Sequence, residues 1–245
     1  MLGKPRHELK FLIDLKDKDL LLQDIRFALH RDQHAGDTGA YRVSSLYYDT
    51  QDLQAMYEKL DGVLQRRKYR LRYYGVVEET PGVAFLEIKH RFANIISKER
   101  VLLKPEAARQ LLSLEQPLDA LPSLLEKPHP PMVARVVEAS ARRRLLPAVI
   151  VAYVREAWVG SQEPDLRVTF DYHLESFAPA DYTGPGRVPG RSFLPQDRCV
   201  LEIKFDHRLP RWLRQRLVQS GLRPVRFSKY LEACLVRETV AGVML

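Results

Sequence analysis

A β-strand places successive side chains on opposite faces, so residues two apart share a face. In the run from Val63 to Tyr74 that alternation sets Arg66, Lys68, Arg70 and Arg72 on one face, with Tyr69, Leu71 and Tyr73 on the other. The same division recurs along the chain. Glu87, Lys89 and Arg91 oppose Leu86 and Ile88, and Lys98 and Arg100 share a face in the run that follows. Arg167, Thr169 and Asp171 oppose Leu166, Val168 and Phe170, while Glu202 and Lys204 oppose Leu201, Ile203 and Phe205. Near the start, Glu8 and Lys10 oppose Leu9 and Phe11.

For any one strand, a charged face means a face in water. Six strands with Arg and Lys dominating the charged side constrain the fold more strongly, because a solvated face mixes signs and uses Ser, Thr and Gln freely. A carboxylate returns inside two near-identical tetrapeptides, Leu86-Glu87-Ile88-Lys89 and Leu201-Glu202-Ile203-Lys204. The pattern is satisfied by curling the sheet until charges point inward and apolar residues point outward under helices. The expected fold is therefore α+β, a closed antiparallel β-barrel of about eight strands around a basic tunnel. An empty bore lined with cations repels itself, so it implies a polyanion inside. A linear phosphate chain suits it, gripped bidentately by Arg and as a point charge by Lys.

The remaining segments fit one domain over residues 1–245. Strands are expected at Arg6–Ile13, Tyr41–Asp49, Val63–Tyr74, Val83–Arg91, Ile96–Leu103, Ala148–Trp158, Leu166–Leu174 and Cys199–Phe205. Hairpin turns are expected at Glu78–Gly82 and around Asn94, and a further turn-prone stretch runs from His34 to Gly39. Helices are expected at Asp17–His30, Asp52–Leu60, Pro105–Leu114, Met132–Leu145, Pro210–Ser220 and Ser228–Val240. Five prolines between Pro117 and Pro131 mark a loop-rich connection. Ser176–Arg198 is Gly- and Pro-rich and long enough for a lid or flap.

Net charge is +8 from 39 Lys and Arg against 31 Asp and Glu, in agreement with an anionic partner. Cys199 and Cys234 can build neither a disulfide framework nor a Cys-rich zinc site. With no apolar leader at the N-terminus and no apolar run near bilayer length, a cytoplasmic location is expected, any membrane association coming through a partner. No G-x-x-x-x-G-K loop occurs, and His90, His129, His173 and His207 lack ligand spacing. Tyr47, Tyr48, Tyr69, Tyr73 and Tyr74 interleave with cations as RNA-stacking rings would, but strand alternation accounts for them as the outward apolar face, so nucleic acid is not the expected partner. The helix carrying Arg211, Arg214 and Arg216 beside Trp212 and Leu213 is read as packing its apolar side on the domain rather than on an anionic membrane.

Nine segments in order resemble the catalytic domain of the vacuolar transporter chaperone (VTC) family, polyphosphate polymerases within the triphosphate tunnel metalloenzymes, which also include CYTH-type triphosphatases. They are Arg6–Phe11, Tyr41–Asp49, Lys68–Arg72, Leu86–Lys89, Ser97–Arg100, Tyr153–Arg155, Leu166–Asp171, Leu201–Lys204 and Phe227–Tyr230. The resemblance implies that Lys10, Arg70, Arg72, Lys89, Lys98, Arg155, Arg167 and Lys229 hold nucleotide phosphates and product. Glu202 would bind Mn²⁺ (or Mg²⁺), and Ser228 would donate a hydroxyl hydrogen bond to phosphate. Strand phase adds Arg66, Lys68, Arg100 and Lys204.

CYTH-type triphosphatases carry Glu-x-Glu-x-Lys on the first strand, whereas Arg6 takes the place of the first Glu here. That departure favours the polymerase branch, in which ATP donates its γ-phosphoryl group to inorganic polyphosphate. Neither a membrane region nor an inositol-phosphate-sensing domain is seen in this sequence, so a free-standing version is expected. The competing expectations are a triphosphatase or tripolyphosphatase using the same tunnel, and a non-catalytic polyphosphate-binding module.

Overall fold

The computed structural model describes residues 6–35, 39–74, 83–93, 95–182 and 189–238. Eight strands follow one another in the spatial order β1, β10, β8, β7, β3, β4, β5, β6, every neighbouring pair antiparallel. They are β1 (His7–Asp14), β3 (Ala40–Asp49), β4 (Gln65–Tyr74), β5 (Ala84–Phe92), β6 (Ile95–Leu103), β7 (Leu146–Gly160), β8 (Arg167–Phe177) and β10 (Arg198–Phe205). Two short strands, β2 (Leu29–Arg31) and β9 (Arg191–Ser192), pair with β7 and β8.

The sheet curls until β1 and β6 meet, but among the described residues no ladder of hydrogen bonds closes it. One isolated bridge, Arg6 to Ile96, joins the edges through Arg6 N–H donating to the Ile96 carbonyl at 3.3 Å. The expected closed barrel is thus corrected to a curled open sheet. Along the seam charged side chains face each other, and the Lys89 ammonium lies 3.3 Å from Glu8 Oε2. That ion pair reaches β1 from β5, one strand in from the β6 edge, and so spans the seam where the backbones make a single bridge.

Three apolar clusters show how the alternation was used. Leu71, Tyr69, Tyr73, Leu86 and Ile88 pack outward with Ala108 and Leu111 of α3 (Pro105–Leu112) and Val133 and Val136 of α4 (Pro131–Arg143). Phe11, Val168, Phe170, Leu201 and Ile203 pack outward with Leu21 and Ile25 of α1 (Leu15–Ile25) and Leu213 and Leu217 of α5 (Arg211–Gln219). Each of these fully buried aliphatic side chains contributes about 1.5–3 kcal/mol.

The third cluster lies within the curl. Tyr230, Leu231 and Cys234 of α6 (Lys229–Glu238) pack on Val43, Val149, Val151, Leu174 and Val200. A bulge in β8, where His173 has a φ of 51°, shifts the phase of that strand between Asp171 and Leu174. Ser176 Oγ then donates to the Ala233 carbonyl at 2.9 Å, fastening α6 to the wall.

Helix α2 (Gln54–Leu60) precedes β4, and the buried Asp49 carboxylate accepts backbone N–H groups of Thr50, Ala55 and Met56 at its start. The first expected helix is shorter than Asp17–His30, because residues 26–28 tighten into a 3₁₀ turn and 29–31 join the sheet. The Pro117–Pro131 stretch contains a 3₁₀ helix, Leu118–Leu124. The Ser176–Arg198 segment is not a free lid where it is described: Arg191 and Ser192 pair with Ser176 and Glu175, and Leu194 is buried beside α6. The turn expected at Glu78–Gly82 lies outside the described residues. No described helix is long and apolar enough to cross a membrane.

Candidate functional site: a cation-lined bore

The inner face of the curled sheet bounds two connected lobes. The α6 lobe, about 130 Å³, is lined by residues of β1, β4, β5, β7 and β10 together with Phe227, Ser228, Lys229 and Tyr230. The β6 lobe, about 470 Å³, takes in Lys98 and Arg100 of β6, Tyr74 of β4 and Arg167 of β8. Glu8, Arg70, Arg72, Lys89, Arg155 and Lys204 border both.

Every site residue expected from sequence lies on this lining. Lys10, Arg66, Lys68, Glu202, Ser228 and Lys229 line the α6 lobe, and Lys98, Arg100 and Arg167 line the β6 lobe. Arg70, Arg72, Lys89, Arg155 and Lys204 stand between. Lys59, Arg91 and Arg6 are further cations on the same lining.

Carboxylates divide these cations into groups. Glu87 is buried between Arg70, whose Nε donates to Oε2 at 2.7 Å, and Lys98, whose ammonium donates to Oε1 at 2.7 Å; Arg72 lies 3.9 Å away. Arg70 also donates to the Tyr47 hydroxyl at 3.1 Å. Burial opposes ionisation of Glu87, but Arg70, Arg72 and Lys98 outweigh it and hold the carboxyl well below the usual range.

On the facing wall Arg155 grips Asp171 bidentately at 2.6 and 2.7 Å, and the Lys229 ammonium lies 2.7 Å from the same carboxylate. Glu202 has Lys204 at 2.8 Å, with Arg155 and Lys229 each at 3.8 Å. Lys10 sits 3.0 Å from Glu8. Burial and the nearby Glu202 push the Glu8 carboxyl up, yet Lys10, Lys89 and Lys204 prevail and bring it to about 2.

Lys68 stands apart. Its ammonium donates to Ser228 Oγ at 3.2 Å and lies 4.5 Å from the centre of the Tyr230 ring, with no carboxylate among these contacts. Burial first, then the neighbouring cations Lys89, Lys10 and Arg66, push it down to about 7. Ser228 precedes α6, and its Oγ also accepts the Leu231 N–H at 3.4 Å as an N-cap does. The cap therefore fixes the hydroxyl that Lys68 reaches.

Arg66 lies at the margin, its guanidinium donating to the Val63 and Glu58 carbonyls. Arg167 donates to the Tyr41 hydroxyl at 3.1 Å and lies 2.5 Å from Asp32. Arg100 lies 4.7 Å from the centre of the Phe85 ring.

The expectation that all five tyrosines face outward is corrected for two. Tyr48, Tyr69 and Tyr73 belong to the outward core, but Tyr47 and Tyr74 line the bore. Tyr47–Tyr48 and Tyr73–Tyr74 are consecutive in extended strands, so one member of each pair must turn inward. Glu87 and Asp171 were missed as site residues although strand phase placed both on the charged faces. Tyr153 was legible in the same way, two positions before Arg155.

Among the described residues no group of three or more His, Cys, Asp or Glu side chains is arranged to hold a metal ion. Glu202 and Glu8 nonetheless face one lobe as hard oxygen donors close enough to repel each other's charge. One or two carboxylates completed by substrate phosphates and water is the ordinary donor set for Mg²⁺ and suits Mn²⁺. The residues fit such an ion.

A curled antiparallel sheet with cations inside and helices outside is the architecture of the triphosphate tunnel proteins. Two solved structures share the fold: a candidate adenylate cyclase from Bacillus halodurans (TM-score 0.54, 14% identity, 92% of this chain and 94% of that one) and a candidate adenylyl cyclase from Hippeastrum with a dominant triphosphatase activity (TM-score 0.53, 15% identity, 98% and 97%). Within that architecture the chain belongs to the VTC domain family, whose model matches residues 5–237. A search of curated proteins finds no match.

Proposed function

We propose that this protein is a metal-dependent phosphotransferase that moves the γ-phosphoryl group of ATP onto the terminal phosphate of a growing inorganic polyphosphate chain. The bond between the γ-phosphorus and the β–γ bridging oxygen breaks, its electron pair leaves with ADP, and a new bond forms to an oxygen of the chain end. The observation that supports this reading is the convergence of fifteen lysines and arginines on the lining of one bore that carries two carboxylates, Glu8 and Glu202. That excess of like charge is relieved by a polyanion that runs through both lobes.

In-line phosphoryl transfer needs positioning and charge stabilisation more than covalent help. Arg70, Arg72, Lys89, Arg155 and Lys229 are assigned to the transferring group because they flank or stand beside the junction of the lobes. Lys10, Arg66, Lys68, Lys98, Arg100, Arg167, Lys204 and Ser228 are assigned to holding the phosphates on either side. Glu202, with Glu8, would hold Mn²⁺ or Mg²⁺, which when bound neutralises phosphate charge. The attacking phosphate oxygen is already ionised, so no general base is needed, and among the described residues no histidine lines the α6 lobe.

Hydrolysis of triphosphates in the same bore is the second reading, favoured by Glu8, which retains the second acid of Glu-x-Glu-x-Lys and faces Glu202. Incubation with ATP and Mn²⁺ separates the two. ADP with chains longer than three phosphates supports the transferase, whereas orthophosphate alone supports the hydrolase. Tight, salt-sensitive polyphosphate binding without ADP release under any metal would leave only a binding module.

A further inference from the structure

Asp49, the last residue of β3, is a buried acid that lines neither lobe, so a bound anion does not explain it. Its two oxygens serve two helices. One accepts the Thr50 and Ala55 N–H groups at 2.8 and 2.9 Å. The other accepts the Met56 N–H at 3.3 Å and the hydroxyl of Tyr230 in α6. Burial first, then the neighbouring Cys234 and Asp49, push that hydroxyl up, so it keeps its proton and donates. One carboxylate thus joins the start of α2 to the first turn of α6.

Both helices bear on the bore. From α2, Lys59 lines the α6 lobe and the Glu58 carbonyl accepts the Arg66 guanidinium at 3.4 Å. The start of α6 supplies the Ser228 hydroxyl and the Tyr230 ring that Lys68 meets at 3.2 and 4.5 Å. The same ring lies 4.9 Å from that of Tyr47, whose hydroxyl accepts from Arg70. The charged and titratable groups that face Lys68 are Lys10 of β1, Arg66 of its own strand, Lys89 of β5, Glu58 of α2 and Cys234 of α6. Burial outweighs all of them in pushing its ammonium down, and the Tyr230 ring is part of what keeps it dry.

We propose that Asp49 is a positioning residue: by tethering Tyr230 to the start of α2 it holds the first turn of α6 over Lys68, and so controls how that ammonium is hydrated and how it meets phosphate. This rests on the reading of the bore as a polyanion site and adds what positions Lys68 within it.

The test titrates Lys68 directly, by NMR of the full chain labelled with ¹³C-lysine, its signal being the one that Lys68→Arg removes. The wild-type ammonium should titrate at about 7. Tyr230→Phe keeps the ring and the Asp49 charge but removes the tether, so water reaches Lys68 and its midpoint should rise by about one unit. Asp49→Asn weakens the same tether and should also raise it, whereas an effect of the Asp49 charge alone would lower it. Leu231→Ala removes packing from the same helix and leaves the tether, so it should lower the melting temperature without moving the midpoint. An unmoved or lowered midpoint in Tyr230→Phe or Asp49→Asn would overturn the assignment. So would an equal rise in Leu231→Ala, or a wild-type midpoint at the ordinary lysine value. With inorganic tripolyphosphate as the probe, the ratio of affinity at pH 6 to affinity at pH 8 should shrink at least about twofold in Tyr230→Phe; an unchanged ratio would overturn the link to phosphate. A wild type whose Lys68 responds as expected, yet which binds no tripolyphosphate, sinks the polyanion reading of the bore and leaves the tether standing.

Discussion

The two walls of the bore carry cations in different company. On β4, β5 and β6 a single carboxylate, Glu87, serves Arg70, Arg72 and Lys98, and Lys68 contacts a hydroxyl and a ring instead of an acid. On β1, β10 and β8 the acids Glu8, Glu202 and Asp171 are matched by Lys10 and Lys204 of the same wall, by Arg155 of β7 and by Lys229 of α6. The first wall has charge to spare for phosphates. The second is close to neutral and can share its carboxylates with a metal ion. The difference teaches that a basic tunnel is not uniformly basic: acids hold the second wall in place while excess cations on the first wait for a ligand.

Asp171→Ala strikes the balanced wall hardest. It removes the nearest counter-ion of the buried Arg155 and Lys229, leaving Glu202 at 3.8 Å from each, and should destabilise the fold by about 3–5 kcal/mol in denaturant unfolding. Unchanged stability would erase the distinction between the walls. Next in size, Glu202→Ala should lower turnover by at least about tenfold while leaving the fold intact, and its response to added Mn²⁺ should weaken as well. Normal turnover and an unaltered metal response would remove the metal assignment.

On the excess-charge wall, Arg70→Ala should lower turnover about tenfold with the melting temperature nearly kept, since Lys98 remains on Glu87. A collapse of folding with no specific loss of activity would make Arg70 a structural counter-ion of Glu87 alone.

The smallest effect is set by pH. Lys68, pushed down to about 7, carries its proton below that value and loses it above, so polyphosphate affinity should fall a few-fold as pH rises through 7. Lys98, lowered chiefly by burial to about 8, adds a second fall near pH 8. Lys68→Arg should erase the first fall and keep the second, as read by binding titrations between pH 6 and 9. Stability of the empty protein moves the other way: the unfolded chain holds the Lys68 proton more tightly, so stability rises with pH between about 7 and the ordinary lysine value near 10.5. A flat affinity profile in the wild type would mean that Lys68 stays charged.

Strand phase is a local property, and what depended on it was legible. Arg66, Lys68, Arg70 and Arg72 share a face because three two-residue repeats of the extended chain fix it, and the structure keeps all four on the lining. Ser228 was legible as the start of a helix because a hydroxyl there caps the first turn. The inward Tyr47 and Tyr74 were missed because apolar character was allowed to override phase at the two Tyr-Tyr pairs. The Asp171 and Glu87 partnerships were missed because phase gives a face and says nothing of which cation lies across it.

What the sequence by itself determined is the two-sidedness of the strands: cations and acids on one surface, aliphatic and aromatic residues on the other. Tertiary structure alone decided which surface became the inside. It set β3 between β4 and β7, joined β1 to β10, and carried Ser228 to Lys68 across 160 residues. It also left β1 and β6 joined by one bridge where a full ladder had been expected. Register between distant strands depends on long-range pairing and on the packing of helices behind the sheet, and neither is encoded in the spacing of residues along a single strand.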